Sequence, residues 1–196
     1  MTLADITQVV TIDREAFLTP WSAHSYSYEV GESSYSYMVV LEDNAPPVLT
    51  GWKRFIRSFN GSTPPRGTVV SYGGLWNIMD EAHISTIASR HDVRGKGYGE
   101  VVLAAMIRKS YILGAAYIVL EVRVSNTVAQ NLYHKYEFEV YDTKRKYYRD
   151  NNEDAYDMRL DLRDSAIRSR FEERYTAIQQ RVPFVDQYTN TPRPRP

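Results

Sequence analysis

Three glycines fall within five positions in Arg94-Gly95-Lys96-Gly97-Tyr98-Gly99. Such a run lets the backbone turn tightly and bring its N–H groups close to a ligand. A strand-like segment precedes it and a long apolar run of helix formers follows, so a helix N-terminus adds partial positive charge. The chemistry is that of an anion cradle suited to a pyrophosphate; the alternative is a flexible turn with a helix cap. A Walker loop needs Gly-Lys-Ser/Thr, and Tyr98 follows Gly97 here. The spacing is also wrong for a dinucleotide fingerprint. A second candidate is Glu121, inside the run YIVLEV. Alternation puts Tyr117, Val119 and Glu121 on one face of a strand. An acid there is costly unless paired or functional; the alternative is a strand-end carboxylate bonded to a neighbour such as Arg123. The third is Asn126 with Tyr133, nearly two helical turns apart and so on one helix face. Singly, Asn126 reads as an N-cap and Tyr133 as core.

The elements that must position these groups follow from periodicity. Thr2 and Asp5 form a capping box ahead of Ile6, Val9, Val10, Ile12, Asp13 and Phe17 at helical spacing. Thr19-Pro20 breaks that helix, and Trp21-Ser22 opens a second, to about Val30. Residues 35–42 read as a strand. Residues 68–79 read as another, with a bulge at Gly73-Gly74. Asp80-Glu81 turns into a third strand that ends at Ser89. The helix after the glycine run ends at Gly114. Residues 115–122 form a strand buried on both faces. Ser125-Asn126 caps a helix to about Tyr136, and residues 138–148 and 155–162 close as a hairpin. After Asp164 comes a polar helix with a thin stripe at Ile167, Phe171, Tyr175 and Ile178, then a Pro-rich end whose last eight or so residues should be disordered.

Composition bounds the rest. The chain has 196 residues, the size of one domain, with 24 basic and 24 acidic residues and no net charge. That argues against a protein built to coat nucleic acid. The absence of cysteine excludes disulfides, thiolate–metal sites and a cysteine nucleophile. His24, His83, His91 and His134 are not paired at ligand spacing, so no metal is expected. No apolar run approaches the ~20 residues of a membrane span, and residues 1–10 do not read as a signal peptide. A cytoplasmic protein is the default. Residues 44–67 look like an insertion with four prolines, four basic residues and no acid. There WKRFIRSF interleaves aromatics with Lys53, Arg54 and Arg57. It reads either as a solvated or self-packed segment or as a docking patch for RNA, ribosome or anionic lipid.

Together, HISTIAS, RGKGYGEVVLAAMI and YIVLEVRVSNTVAQNLYHKYEF resemble the acetyl-CoA-binding core of the GNAT N-acetyltransferases. The loop matches that superfamily's Q/R-x-x-G-x-G/A pattern at Arg94, Gly97 and Gly99. LEVRVSN, NLYHKYEF and KYYRDNNEDAYDMRL resemble, more narrowly, the RimI branch, which acetylates the N-terminal amine of a small-subunit ribosomal protein. AFLTPWS is similar to that branch's Phe-Pro-Trp-Ser element, with two extra residues between Phe17 and Pro20. The likeness covers roughly residues 2–162. It implies an α/β (α+β) fold, a mixed, mostly antiparallel twisted sheet of six to seven strands with helices on both faces. The cofactor would lie where two neighbouring strands part. Residues 1–162 would be the acetyltransferase domain, and 163–196 a helix and disordered tail.

The resemblance implies roles residue by residue. Ile87, Ala88 and Ser89 would pair their backbone with the pantetheine arm of acetyl-CoA. Arg94 belongs to the loop, and Gly95, Lys96, Gly97, Tyr98, Gly99 and Glu100 would hold the pyrophosphate. Asn126 would hydrogen-bond the cofactor near its reactive end. Glu121 would be the general base through water, and Tyr133 would protonate the departing thiolate. The residue types suit this, since an α-amine of pKa ~7.7–8.0 needs only a modest base. Trp21, Glu81 (with the rest of the 80–83 turn), Tyr147 and Tyr148 would line the acceptor groove. Glu81 is also a rival base; the helicase-like Asp-Glu-Ala-His spelling around it has no Walker loop to serve.

This chain departs from the family at Glu137, where the family usually has a glycine in a left-handed cap. The family's strand before the first helix is missing from the start at Met1, so either it is absent or the start lies upstream. The insertion and the tail have no counterpart in short members. The expectation is a protein N-terminal acetyltransferase acting on a ribosomal protein, with alanine the expected acceptor. It would touch the ribosome through Lys53, Arg54 and Arg57 and be a monomer or weak dimer. The alternatives are a small-amine acetyltransferase and a non-catalytic CoA-binding or ribosome-docking module.

Overall fold

The computed structural model describes residues 1–43 and 67–191. The insertion, with Lys53, Arg54 and Arg57, lies outside the described residues. The elements are α1 (Ile6–Ala16), α2 (Ala23–Gly31), β1 (Ser36–Asp43), β2 (Thr68–Ile78), β3 (Glu81–Ser89), α3 (Tyr98–Leu113), β4 (Tyr117–Arg123), α4 (Thr127–Lys135), β5 (Glu139–Tyr148), β6 (Glu153–Asp161) and α5 (Ser165–Arg181). A 3₁₀ turn over Leu3–Asp5 carries the expected capping box into α1. The six strands form one sheet in the order β1-β2-β3-β4-β6-β5, antiparallel except where β3 meets β4.

Alternation along the strands gives the sheet two apolar faces. Met38 packs with Val9, Ile12 and Tyr26 of α1 and α2, whereas its neighbour Val39 packs with α3. On that second face Leu103, Met106 and Ile107 meet Leu75, Ile118, Leu120 and Leu160, all essentially fully buried. Burying each such side chain contributes roughly 2 kcal/mol. Gly73 is small because α3 is close: a Cβ there would stand 2.9 Å from Met106 and Val102. The bulge is next to Gly74, as expected, but the extra residue belongs to β3. Pairing jumps from Gly74↔Thr86 to Leu75↔Ile84 and leaves Ser85 over. The extra residue reverses alternation. Ile84 faces α3, while Thr86 turns to the other face and meets the Tyr72 hydroxyl at 3.3 Å.

Asp13 ties α1 to the sheet. It is 1 % exposed, accepts from the Tyr72 hydroxyl, and takes the Trp21 backbone N–H at 2.6 Å. Tyr26 donates to Tyr72 in turn, and burial pushes both phenols well above their usual range. The network fixes where the chain turns out of α1, and so where Trp21 stands.

The C-terminal helix is integral. Asp164 caps it, and Phe171, Tyr175 and Ile178 are buried in the α3-side core. The chain beyond it packs back on the domain as far as the described residues go. Thr189 is 1 % exposed, because the buried Lys109 ammonium donates to the carbonyls of Thr189 and Thr191, 3.0 Å each. A lone buried ammonium needs such acceptors. Among the described residues no helix is long and apolar enough to cross a membrane.

Glu137, where the resemblance leads one to expect a glycine, adopts the left-handed conformation, with φ +66°. Arg170 and Arg174 of α5 close on its carboxylate, and the Arg170 hydrogen bond leads in holding its pKa down to about 2. A depressed carboxylate contributes stability above its unfolded pKa of ~4.3 and loses it as pH falls through the folded value. Both arginines are partly exposed, so the gain is modest. Glu137→Ala is expected to lower stability by about 1 kcal/mol at pH 7 in urea melts. Its deficit against wild type should close between about pH 4.5 and pH 2. Glu137→Gly, relieved of the left-handed strain, should fall between the two.

Candidate active site

The parallel ladder between β3 and β4 is three residues long: Glu81↔Tyr117, Ala82↔Ile118 and His83↔Val119. Beyond it the strands part. β3 stays paired with β2 as far as Ser89, and β4 with β6 as far as Arg123. Between them opens a wedge whose lips carry backbone N–H and C=O groups without a ladder partner. Backbone groups of that kind are open to a ligand with amides along an extended arm. Ile87, Ala88 and Ser89 lie on one lip.

The glycine run joins that lip to α3. Gly95 has φ +78° and Gly97 has φ +88°, so both need the left-handed freedom of glycine. Gly97 is the N-cap of α3, and Gly99 packs within 3.2 Å of the Ser89 hydroxyl, measured from an added Cβ. Arg94 reaches back to the Ser89 carbonyl, and Lys96 is exposed. A loop of this shape at a helix N-terminus can present backbone N–H groups to an anion. Glu100 can add only its backbone N–H. Its carboxylate is taken by Lys135, Tyr136 and Arg181, whose bonds outweigh burial and hold it below the usual range.

Glu121 lies two residues past the end of the β3–β4 ladder. Its partner is not Arg123, which bonds Asp150 and Glu153 and stacks on Tyr148. One Glu121 oxygen meets His83 Nε2 at 2.8 Å, and the other accepts from Lys144 Nζ at 2.5 Å. Burial would raise this carboxyl; the His83 and Lys144 hydrogen bonds overcome it and bring the pKa down to about 2. Lys144 also pairs with Asp157 at 2.9 Å; burial would lower its pKa, but the two carboxylates hold it above its usual range. A cavity of about 270 Å³ opens beside them, lined by Glu81, His83, Glu121, Lys144, Asp157 and Arg159 among others.

Aromatic rings continue the wall. Trp76 meets His83 edge-on at 5.4 Å and stacks with Trp21 at 6.0 Å, and its indole N–H donates to Glu29. On the far side Tyr147 and Tyr148 pack against each other at 5.2 Å, and Lys144 faces Tyr147. Glu81 shares the cavity with Glu121, Tyr147 lies beside Lys144 and Tyr148 beside Arg123, and Trp21 reaches the site only through Trp76. Tyr133 is buried on α4, against Phe138. Burial, reinforced by Tyr148, pushes its phenol well up, so it stays protonated at neutral pH. Asn126 caps α4 through its side-chain oxygen, accepting from Ala129 N–H, so only its amide NH₂ is left to donate elsewhere.

Residue types and spacing do not point to Lys144 or Trp76. They leave His83 among four scattered histidines, and the resemblance puts it only on the 80–83 turn; the strand order is what sets it beside Glu121. Lys144 lies on the β5–β6 hairpin, two strands from β4.

The acetyltransferase (GNAT) family profile matches residues 6–138. This chain belongs to the GNAT acetyltransferases. It is 32% identical over 155 residues to a Bacillus subtilis protein provisionally named a ribosomal protein bS18-alanine N-acetyltransferase, covering 79% of this chain and 88% of that one. The crystal structure of the ribosomal-protein-S18-alanine N-acetyltransferase from Escherichia coli superposes with a TM-score of 0.66 at 24% identity, over 83% of this chain and 90% of that one. Arabidopsis thaliana NAA60 in complex with acetyl-CoA gives 0.66 at 13% identity, over 84% and 97%. The protein is therefore an acetyl-CoA-dependent N-acetyltransferase with the GNAT fold of the RimI branch, and the wedge and glycine cradle fit that co-substrate.

The Glu121 clamp is testable without substrate. In carboxyl-detected NMR, Glu121 should titrate near pH 2 in wild type. In Lys144→Met its midpoint should rise by at least about one unit, because burial then opposes His83 alone. An unmoved midpoint would show that Lys144 does not hold the carboxylate.

Proposed function

We propose that this GNAT enzyme acetylates the N-terminal α-amine of a ribosomal protein, with alanine as the accepted residue. The reading rests on one observation above the others. The identity with the Bacillus subtilis protein named for that reaction extends across 79% of this chain. The site supports it. An acceptor threaded between Trp21 and Trp76 on one side and Tyr147 and Tyr148 on the other reaches Glu121 at the mouth of the wedge.

When bound, acetyl-CoA supplies a thioester carbonyl, and the chain's residues manage the protons. Starting from the ammonium form, the nitrogen must lose two protons and bond to the acetyl carbon; the C–S bond breaks, the sulfur takes one proton and the other passes to a base and on to solvent. Glu121 is a poor direct acceptor. Moving a proton from an α-amine of ordinary pKa near 8 to a carboxylate held near 2 runs about 8 kcal/mol uphill. Imidazole is the side-chain type that exchanges protons near neutral pH. With Nε2–H donated to Glu121, His83 offers its Nδ1 lone pair to the amine or to a water beside it. Glu121 then fixes the ring and stabilises the imidazolium, the work a buried carboxylate does for a catalytic histidine. Tyr133, kept protonated by burial, is the acid for the departing sulfur.

The test is mass spectrometry of peptides ending in Ala, Ser, Met or a blocked residue, alongside free polyamines. One acetyl group is expected on free N-termini, fastest on Ala, and none on the blocked peptide. His83→Gln and Tyr133→Phe should each lose about 10²–10⁴ in kcat. Acetylation confined to small amines would replace the peptide reading with a small-molecule one. A His83→Gln enzyme of full activity would return the base to Glu121 or Glu81.

A further inference from the structure

The C-terminal helix α5 lies beyond the residues matched to the family profile, and it ends against the glycine cradle. A Cβ on Gly97 would stand 3.1 Å from Val182 and 3.4 Å from the Arg181 guanidinium. That guanidinium donates to Glu100, in the first turn of α3. The same carboxylate accepts from Lys135 Nζ at 2.5 Å and from the Tyr136 hydroxyl at 3.1 Å. One buried acid therefore holds a cation from α4 and a cation from α5 at the N-terminus of α3. Neither cation is used up. The Arg181 side chain is 54% exposed, and a guanidinium carries five N–H donors in a planar fork matched to phosphate oxygens.

The placement is rigid. Phe171, Tyr175 and Ile178 root α5 in the core, and Arg170 and Arg174 clasp Glu137 at the end of α4. Past Arg181 the chain is pinned again, by Asp186 accepting from Tyr175 and by Lys109 binding the Thr189 carbonyl. A cation delivered by a fixed helix loses little entropy when it meets an anion.

We propose that Arg181 binds the diphosphate of acetyl-CoA, with Glu100 as its positioning residue, so that α5 is part of the cofactor site. The inference rests on the acetyl-CoA reading of the cradle. The diphosphate is favoured over the 3′-phosphate because the guanidinium stands beside Gly97, whose loop presents the backbone donors.

Calorimetry with full-length protein and three probes tests it: CoA, 3′-dephospho-CoA and pantetheine. Arg181→Gln should weaken CoA and 3′-dephospho-CoA alike, about tenfold, and leave pantetheine unchanged. Arg181→Lys should recover part of the loss, which a merely structural contact would not grade by charge. In turnover, KM for acetyl-CoA should rise by a similar factor, with kcat and the peptide KM within about twofold. A loss confined to CoA with its 3′-phosphate would overturn the diphosphate assignment. Equal or tighter binding by Arg181→Gln would overturn the role altogether and make the arm a plug. A wild-type protein that binds no CoA would instead remove the cofactor reading, a failure distinct from that of Arg181.

Discussion

The parting of β3 from β4 after three paired residues is the constraint on which the site depends. A continuous ladder would satisfy both strands and leave no place for an extended ligand. Each strand keeps its other neighbour, so the wedge costs the sheet little rigidity. The glycine cradle closes one end of the opening and Glu121 marks its mouth. The Ser85 bulge belongs to the same construction. It turns Thr86 toward Tyr72 and leaves Ile87 facing the α3 core, so the lip of the wedge is anchored on both faces of the sheet. The Asp13–Tyr72–Tyr26 network then locks α1 and α2 to that lip and holds Trp21 against Trp76.

Electrostatics at the mouth separates position from reactivity. Glu121 occupies the place expected of a base, but both its oxygens are bonded, and a carboxylate held near pKa 2 is a weak proton acceptor. What such a carboxylate does well is orient a histidine. Low exposure strengthens its bonds to His83 and Lys144, and the separate burial of Tyr133 raises that phenol. Desolvation raises both groups; it prevails at the Tyr133 phenol, whereas at Glu121 the His83 and Lys144 hydrogen bonds outweigh it.

Much of this was legible in the sequence. Local signals sufficed where one element decides the matter: the glycines of the cradle, the capping box at Thr2 and Asp5, Gly114 closing α3, and the alternation that puts Glu121 opposite Leu120. They failed where partners come from separate strands. Nothing near His83 or Lys144 in the chain says that they clasp Glu121, since β3, β4 and β5 are brought together only by a sheet order of β1-β2-β3-β4-β6-β5. Arg123, the neighbour in sequence, was the wrong partner for the same reason. The bond from buried Lys109 to the Thr189 carbonyl is likewise invisible locally, since the two lie 80 positions apart.

Glu137 shows how the C-terminal helix changes the balance of the domain. At this left-handed position a glycine would cost nothing, and a glutamate costs about 1 kcal/mol. The side chain that brings this strain is also the one that Arg170 and Arg174 hold, so the penalty at the end of α4 is offset by the docking of α5. Without α5 the substitution would be a defect. With α5 it becomes an attachment point, and the helix fixed there runs on to Arg181 and Glu100 at the start of α3. Two glutamates, one after α4 and one in the first turn of α3, therefore bracket the helix and aim its last turn at the cradle. Either pair alone would locate a point on α5. Both together set its direction, which is what a side chain meant to meet a ligand requires.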